Sequence, residues 1–444
     1  MRRVNHLLFV LIGVVGLTMA GCSKNESTTA SEADKSKAVE RVDQANQILV
    51  PKLAILISTQ TPDTSLMNMS AAKSLYEEAL SYDPDNQDAH FGVAVSELIT
   101  AFADPSLQSA LGKSGANAGP GAFSTVFKNK TGLAGLSSVV EKQFQSTTRS
   151  LIAPAFMLQL RKPFAVQAAT EPVSYYQGIV ENKILPSISD AITHLNEVTK
   201  HSDFAFYITP SQLGEQVGDS IRIGLTEVYA VLAVCQLVDA GASAFVSYNL
   251  DYNPTDGAAV KQAWTSGSAF FALRNGGAQR MKDTKTNLLG ALASVKSGLQ
   301  FLQQHPGGGI IPYRPEDQIQ LAMISSVIDS LTAVMSGPVQ ITEDINGDGM
   351  QESLRLDMSK LFDNAIPDFK TKMPAYTVGV SLNNGYYDAV LTWQATSFTS
   401  WTIPDPSFNG LFPAITTDQQ FKQTFGITAA SWQQSVVIPG NMGV

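Results

Sequence analysis

The stretch from Glu343 to Asp357, EDINGDGMQESLRLD, carries oxygen-bearing side chains at alternate positions around a glycine. Asp344, Asn346 and Asp348 stand two residues apart, and Gly349 follows directly. Calcium prefers six to eight oxygen ligands at about 2.3–2.6 Å, so a loop that binds it must turn tightly to aim several oxygens at one point. The spacing therefore predicts a calcium site, and the alternative is an acidic β-turn without an ion.

The other ligands of this site follow from the order of residues in the loop. Met350 would offer its main-chain carbonyl, and Glu352 would bind the ion directly or through water. The stretch resembles the D-x-[DN]-x-D-G loops of EF-hands, dockerins and extracellular β-propeller repeats. Arg355 stands where an EF-hand has its bidentate glutamate. The resemblance therefore implies a structural site between two strands rather than a sensor, with the affinity of extracellular modules, about 10⁻⁴–10⁻³ M.

A second group of possible metal ligands lies in HLNEVTKH. A helix would place His194, Glu197 and His201 on one face, as in helix-borne zinc or iron sites. The chain has no HExxH motif and no second histidine-rich segment. His201 also falls near the expected end of the helix, where the helix dipole favours a cation. We therefore expect no metal here, and we expect the isolated His90 and His305 to be surface or packing residues.

Nucleophile and phosphate-binding motifs are absent from the sequence. GASAF and SGSAF lack the second glycine of a G-x-S-x-G elbow, and the run Gly307–Gly309 lacks the Gly-Lys-Ser/Thr of a P-loop. Two carboxylates distant in sequence could still meet in a glycosidase cleft, so a helical-toroid glycoside hydrolase is one alternative. Such clefts are usually rich in tryptophan, whereas the helical part has Trp264 alone. The sequence favours a non-catalytic protein without deciding the question.

The first residues, MRRVNHLLFVLIGVVGLTMAGC, combine a basic start, an apolar run and small residues before Cys22. The apolar run is too short to span a bilayer comfortably. The segment resembles a bacterial lipoprotein signal, with Met19 where leucine is usual. The resemblance implies a signal peptide at 1–21 and acylation of Cys22, for example with palmitate. The alternative is an ordinary secretory signal with an incidental cysteine.

Ser23 follows the cysteine where aspartate would mark inner-membrane retention, so by resemblance to the enteric sorting rule we expect anchoring in the outer membrane of the cell envelope. Whether the protein faces the periplasm or the cell surface is left open. Residues 22–37 are polar and predict a flexible tether. Cys235 is then the one cysteine left in the body, so no disulfide can form within the chain.

The composition suits a globular protein with a large core. Of the 444 residues, 44% are hydrophobic and 16% are charged. The net charge of −9 excludes a phosphate-binding surface of the kind that nucleic acids need.

From residue 38 onward the apolar residues recur at helical spacing. A first helix is predicted to run to about Ile57, and residues 71–99 predict a pair of helices separated by Asp83–Pro84. This pair resembles a tetratricopeptide (TPR) repeat over about thirty residues. Ala72, Tyr76, Ala79 and Pro84 match the spacing of a repeat's second helix and its closing turn, and Ala89, Val93 and Ala94 match the start of the next repeat's first helix. We expect one such hairpin rather than a regular solenoid.

Further helices are predicted between residues 174 and 335. The residues between Val228 and Val238 are apolar on all sides, with Glu227 and Asp239 at the edges, which favours a buried central helix over a membrane span. Cys235 would then be an inert core thiol. Other helices are expected at about 257–275, 278–304 and 315–335, and a long loop at 111–133.

The pattern changes after Gly337. PVQIT and ESLRLD predict strands on either side of the calcium loop, and MSKLFDNAIPDF predicts a short helix. YTVGVSLNNGYYDAVLTW predicts a β-hairpin that turns at Asn384–Gly385. The tail beyond it is rich in aromatic residues, which either fill a small core or stack on sugars.

Together these patterns predict a mainly α protein: a repeat-like, TPR-like helical body at 38–336 and a small mixed α/β region at 337–444, with the calcium loop stiffening the join. We expect a lipid-anchored envelope protein that serves as an interaction or scaffold module, because helical hairpins build concave binding surfaces. Its partner would be another envelope protein. The alternatives are a lipoprotein that binds a glycan or a hydrophobic ligand, and the glycoside hydrolase named above.

Overall fold

The computed structural model describes residues 30–58, 68–106, 173–213, 220–265, 267–306, 311, 318–345 and 349–438. It confirms a mainly α protein with a small C-terminal α/β region, in which antiparallel sheets of two and three strands occur. The predicted signal peptide, Cys22 and the loop at 111–133 lie outside the described residues.

The helices of the body follow the predicted pattern with shifted ends. They are α1 (Glu32–Ser58), α2 (Ser70–Tyr82), α3 (Gln87–Ala103), α4 (Val173–Ile179), α5 (Leu185–Val198), α6 (Leu225–Ser247), α7 (Gly257–Ala263), α8 (Gly277–Gln304) and α9 (Gln318–Ser336). Helix α1 begins inside the segment expected to be tether. The reason is local: the Ser31 hydroxyl accepts the N–H of Asp34 at 3.1 Å, and Glu32 and Asp34 place negative charge in the first turn.

Helices α2 and α3 form the predicted helical hairpin. Pro84 lies in the turn, and the Asn86 side chain caps α3 by accepting the N–H of Ala89 at 3.0 Å. The ring of Tyr76 is fully buried directly over Gly92, where any Cβ would overlap it. The alanine and valine positions that match the repeat pattern are all buried. Small residues therefore let the two helices approach closely, as their spacing indicated.

Helix α6 is the central helix of the body. By length and apolar composition it is the one described helix that could cross a membrane, but most of its residues are buried against other parts of the protein. Its largest contact is with α8. Three glycines of α8 make this approach possible, because a Cβ at Gly277, Gly290 or Gly298 would press on Ser247, Gln236 or Tyr229. The predicted buried helix is confirmed.

A π-helical turn, Val180–Ile184, joins α4 to α5. Pro186 explains it, since proline has no N–H to continue the α-helical ladder at that point. The turn carries Glu181, which binds Arg274 at 3.0 Å and also pairs with Arg280 at the start of α8. This ion cluster ties the kinked helix to the α6–α8 pair.

Seven strands are described. They are β1 (Ala205–Ile208), β2 (Ile221–Gly224), β3 (Val339–Glu343), β4 (Glu352–Leu356), β5 (Tyr376–Asn383), β6 (Tyr386–Trp393) and β7 (Ser435–Ile438). They pair antiparallel as β1-β2, β3-β4 and β5-β6-β7. Two short helices, α10 (Ser359–Asp363) and α11 (Asp418–Thr424), complete the C-terminal region. Strands β3 to β6 and α10 confirm the prediction, whereas β1, β2 and β7 were not expected.

The helix predicted at 257–275 was wrong beyond Ala263. Gly267 and Phe271 have φ angles of +85° and +57°, which no helix tolerates. Trp264 and Phe270 instead turn toward the C-terminal sheet and are buried in one cluster with strand β6. The segment between α6 and α8 therefore packs on the C-terminal region, across the boundary drawn at residue 336.

Candidate functional site

The predicted calcium loop connects β3 to β4, as expected for a site between two strands. The ladder runs without a break from Val339 opposite Leu356 to Glu343 opposite Glu352. The connection thus lies within the C-terminal region, one strand beyond the join with the helical body.

Two carboxylates hold the ends of this loop. The N–H of Gly349 donates to Asp344 Oδ2 at 3.0 Å, and the N–H of Ile345 donates to Glu352 Oε2 at 2.7 Å. Gly349 has a φ of +87°, the left-handed conformation that a glycine at the sixth position supplies. Asp344 and Glu352 thus each accept a main-chain N–H of the loop's described residues.

Of the three other proposed ligands, Asn346, Asp348 and Met350, the structure describes Met350 alone. Asn346 and Asp348 lie outside the described residues, and the Met350 side chain is exposed. Within the part of the chain that is described, no group of three His, Cys, Asp or Glu side chains is placed to hold a metal. The positions of Asp344, Gly349 and Glu352 fit a calcium loop, and the complete ligand set stays a prediction.

The described residues that flank the loop pack in the hydrophobic core of the C-terminal region. Leu354 and Leu356 of β4 are buried in a cluster with Phe412 and Ile415 of the aromatic tail, and Ile345 of the loop packs against the same cluster. The described tail thus places several of its aromatic residues in a core. Ile345, the residue after Asp344, therefore anchors the first described part of the loop to the C-terminal core.

The structure does not group the three residues of HLNEVTKH as a metal site. His201 lies beyond the end of α5, and Glu197 pairs with Lys200 on the surface. His194 instead meets His90 of α3, with 2.8 Å between the two Nδ1 atoms. His90 is a buried packing residue, one of the two alternatives expected for it, and its partner is His194. No sequence motif could reveal the pair, because its members are 104 residues apart.

The hydrogen bonds around this pair define its protonation. His90 Nε2 lies 2.8 Å from the carbonyl oxygen of Pro84, which can only accept, so Nε2 carries a proton. In the neutral ring His90 Nδ1 is then the acceptor, and His194 Nδ1–H must be the donor. Burial and the neighbouring His90 lower the pKa of His194 below its ordinary value. The hydrogen bond between the two rings therefore links α3 to α5, and burial disfavours a charge on His194.

Charged side chains surround the histidine pair on three helices. On α5, Asp190 Oδ1 lies 3.9 Å from His194 Nε2. Lys73 of α2 contacts Asp190 at 3.6 Å and Glu77 at 3.4 Å, and it forms a closer ion pair with Glu97 of α3. This arrangement neutralises Lys73 with three carboxylates and joins α2, α3 and α5.

Two carboxyl groups have a pKa raised by burial, as a catalytic acid would, but they lie at different helix interfaces. Asp88 of α3 also feels the charge of Asp43 of α1. Asp239 of α6 accepts hydrogen bonds from Asn287 at 2.6 Å and Ser243 at 3.1 Å. Burial also raises the pKa of the Cys235 thiol to about 12, which agrees with a core thiol.

An open cleft of about 770 Å³ lies beside α11. Among its lining residues, Phe398 offers an aromatic ring and Asp418 a carboxylate. Asp418 is paired with Lys422 at 2.6 Å, and Lys422 also donates to the carbonyls of Phe398 and Trp401. The ammonium group of Lys422 is therefore held by these three neighbours in the wall of the cleft, where it stabilises the local structure.

The fold defines a class only in broad terms: a mainly α protein with a small C-terminal α/β region. No family model, no curated protein and no solved structure matches the chain.

Proposed function

We propose that this chain is a lipid-anchored protein of the bacterial envelope that serves as a non-catalytic interaction module with a structural calcium site. The lipid anchor rests on the signal-like residues before Cys22, with outer-membrane placement following from Ser23. The calcium site would use Asp344, Asn346, Asp348, the Met350 carbonyl and Glu352.

The observation that carries the interaction role is the outer face of α9. Ile319 and Met323 of α9 are 73% and 58% exposed. Side chains four positions apart are neighbours on a helix surface, so these two form one short apolar stripe. Contiguous apolar surface of this kind is typical of protein contacts. We therefore propose a protein partner with an apolar contact surface of its own.

The test is affinity purification of the full chain from gently solubilised envelopes, in calcium and in chelator, followed by mass spectrometry. The matched variants are Met323→Lys on the α9 stripe and Val39→Lys, which places the same charge at an exposed apolar residue of α1. We expect a partner that is retained by the parent and Val39→Lys and lost by Met323→Lys. Equal recovery with both variants, or no partner at all, would contradict the role of α9.

Asp344→Asn tests the calcium site separately. The amide oxygen can still accept the N–H of Gly349, so the apo loop should keep its shape, whereas the lost charge weakens calcium binding. At calcium about 100 times the dissociation constant, the parent should gain about 2.7 kcal/mol in unfolding free energy. The variant should melt like the parent in chelator and gain less in calcium. An identical calcium response of both proteins would exclude the site.

A second candidate function has one observation in its favour. The cleft beside α11 presents the Phe398 ring next to polar side chains, a combination suited to a glycan. Retention of the chain on a glycan array, lost on Phe398→Ala, would support this alternative.

A further inference from the structure

Strand β5 forms an open edge of the C-terminal sheet. The strand order is β5-β6-β7, and β5 pairs with β6 over eight consecutive residue pairs. The connecting residues Asn384 and Gly385 have φ angles of +50° and +85°, as a two-residue type I′ turn requires. The hairpin is therefore straight and regular up to its edge.

The register shows which backbone groups point outward. The N–H of Gln394 donates to the carbonyl of Ala375 at 2.8 Å, which makes this a hydrogen-bonded pair just before the strand. Such pairs alternate along an antiparallel ladder, so odd-numbered residues of β5 bond to β6. The even-numbered residues direct their N–H and C=O groups to the free edge. They are Tyr376, Val378, Val380 and Leu382.

This edge lacks the features that normally prevent pairing. From Tyr376 to Asn383 there is no charged residue and no proline, and the register contains no bulge. Val380 and Leu382 are 38% and 63% exposed. Within the described part of the chain, no further strand pairs with β5. The strand thus presents an uncharged edge without a bulge, along which the N–H and C=O groups of its even-numbered residues point outward.

We propose that two copies of this chain pair antiparallel along β5, with Gly379 facing Gly379 at the two-fold axis. In this register Val378 lies opposite Val380, Tyr376 opposite Leu382, and Thr377 opposite Ser381. Apolar residues meet apolar residues on one face of the sheet and hydroxyls meet hydroxyls on the other. The outward groups of the four even-numbered residues would form about eight hydrogen bonds across the axis.

Charge is the reason to assign the edge to a second copy. Near the two-fold axis a charged residue would lie close to its own equivalent in the other copy, so a strand that pairs with itself at its centre is expected to be uncharged there. Each chain carries a net charge of −9, yet β5 carries none. Two three-stranded sheets then become one continuous sheet without electrostatic repulsion at the contact.

Single cysteines on β5 test both the pairing and its register. Gly379 can accept a side chain, because its φ is ordinary and the nearest atoms to an added Cβ belong to Val390 at 3.6 Å. Facing residues of a non-hydrogen-bonded pair have Cα atoms about 4.5 Å apart, within reach of a disulfide. In a Cys22→Ser background, where Cys235 is buried, mild oxidation should link Gly379→Cys into a dimer. Thr377→Cys and Ser381→Cys should link far less, because neither residue faces itself.

Val380→Pro gives the complementary measurement. Its N–H points to the free edge, so proline removes an intermolecular donor and leaves the β5–β6 bonds in place. Sedimentation velocity of the full chain in mild detergent should give a dimer for the parent and a monomer for Val380→Pro, with unchanged circular dichroism. A monomeric parent, or equal cross-linking at residues 377, 379 and 381, would overturn the proposal. Neither result depends on the partner of α9.

Discussion

His90 and His194 join the helical hairpin to α5 through ring nitrogens that share one proton. The neutral pair satisfies both Nδ1 atoms with one shared proton, and a single added proton can be taken up at His194 Nε2 without breaking that hydrogen bond. A second proton would place two N–H groups head to head at 2.8 Å, so the helices would have to separate. The pair is therefore sensitive to acid.

The lowered pKa of His194 sets the direction of the effect on stability. The unfolded chain takes up its proton near the ordinary histidine pKa of about 6.5, before the folded chain does. The free energy of unfolding should thus be highest above pH 6.5 and should fall as the pH drops below it. In His194→Gln, which can still donate to His90 but does not titrate, urea midpoints should fall less between pH 7 and pH 5. Parallel pH profiles for both proteins would contradict this account.

Gly92 reverses the usual effect of replacing glycine in a helix. Alanine is normally more stable there by about 1 kcal/mol. At Gly92 the new methyl group would overlap the buried Tyr76 ring, whose hydroxyl is held by Asn46 at 2.6 Å. We expect Gly92→Ala to lower the unfolding free energy by about 1–3 kcal/mol. Gly241→Ala on α6 meets nothing within 4 Å and should be neutral or stabilising, which denaturant titration of both variants can check.

Among the elements, the π-helical turn depends on a compact ion cluster. Glu181 faces both Arg274 and Arg280, and about a quarter of each side chain is exposed. Glu181→Gln leaves two guanidinium groups without their carboxylate and should cost about 2 kcal/mol, less than for fully buried charges. Glu32→Gln removes the exposed partner of Lys35 and should cost almost nothing. Equal losses in thermal melts would show that the cluster does not stabilise the turn.

The sequence predicted the elements whose signals are local. The turn at Asn384–Gly385, the hairpin around Pro84 and the apolar run of α6 each carry their own pattern. The segment after Ala263 was misassigned because its aromatic residues pack on strand β6, more than a hundred positions away. The short strands β1 and β2 were missed because each has four residues, too few to show a period.

The candidate sites likewise differ in whether they depend on local sequence or on contacts between distant residues. The loop between β3 and β4 is continuous in sequence, so its flanking strands and its glycine turn could be predicted, and its calcium site stays a prediction. The histidine pair depends on how α3 packs against α5, and no spacing along the chain encodes that contact. The outward face of β5 likewise follows only from its register with β6.

At the scale of the whole molecule, the helical body and the C-terminal region are interlocked. Leu273 donates its N–H to the carbonyl of Pro367 at 2.8 Å, and Tyr376 donates its hydroxyl to the carbonyl of Trp264 at the same distance. Lys370 inserts its ammonium group between the carbonyls of Ser268 and Phe270. The segment between α6 and α8 is therefore held from both sides.

This interlocking predicts one cooperative unfolding transition. Three of the four tryptophans lie in the C-terminal region, and Trp264 packs against it, so fluorescence reports that region while far-ultraviolet circular dichroism reports the helices. The two thermal midpoints should coincide. A chain truncated after Ser336 should aggregate, because Val260, Trp264 and Phe270 lose their cover. Separate midpoints, or a soluble and fully helical truncation, would show two independent domains.

The buried thiol of Cys235 can report how often the core around the central helix α6 opens. A thiol with a pKa near 12 inside the core is closed to alkylating reagents until α6 leaves its neighbours. The rate at which a small iodoacetamide modifies Cys235 in the intact protein therefore measures how often the core opens. At constant pH, bound calcium or a partner would each change that rate if it changes how often the core opens.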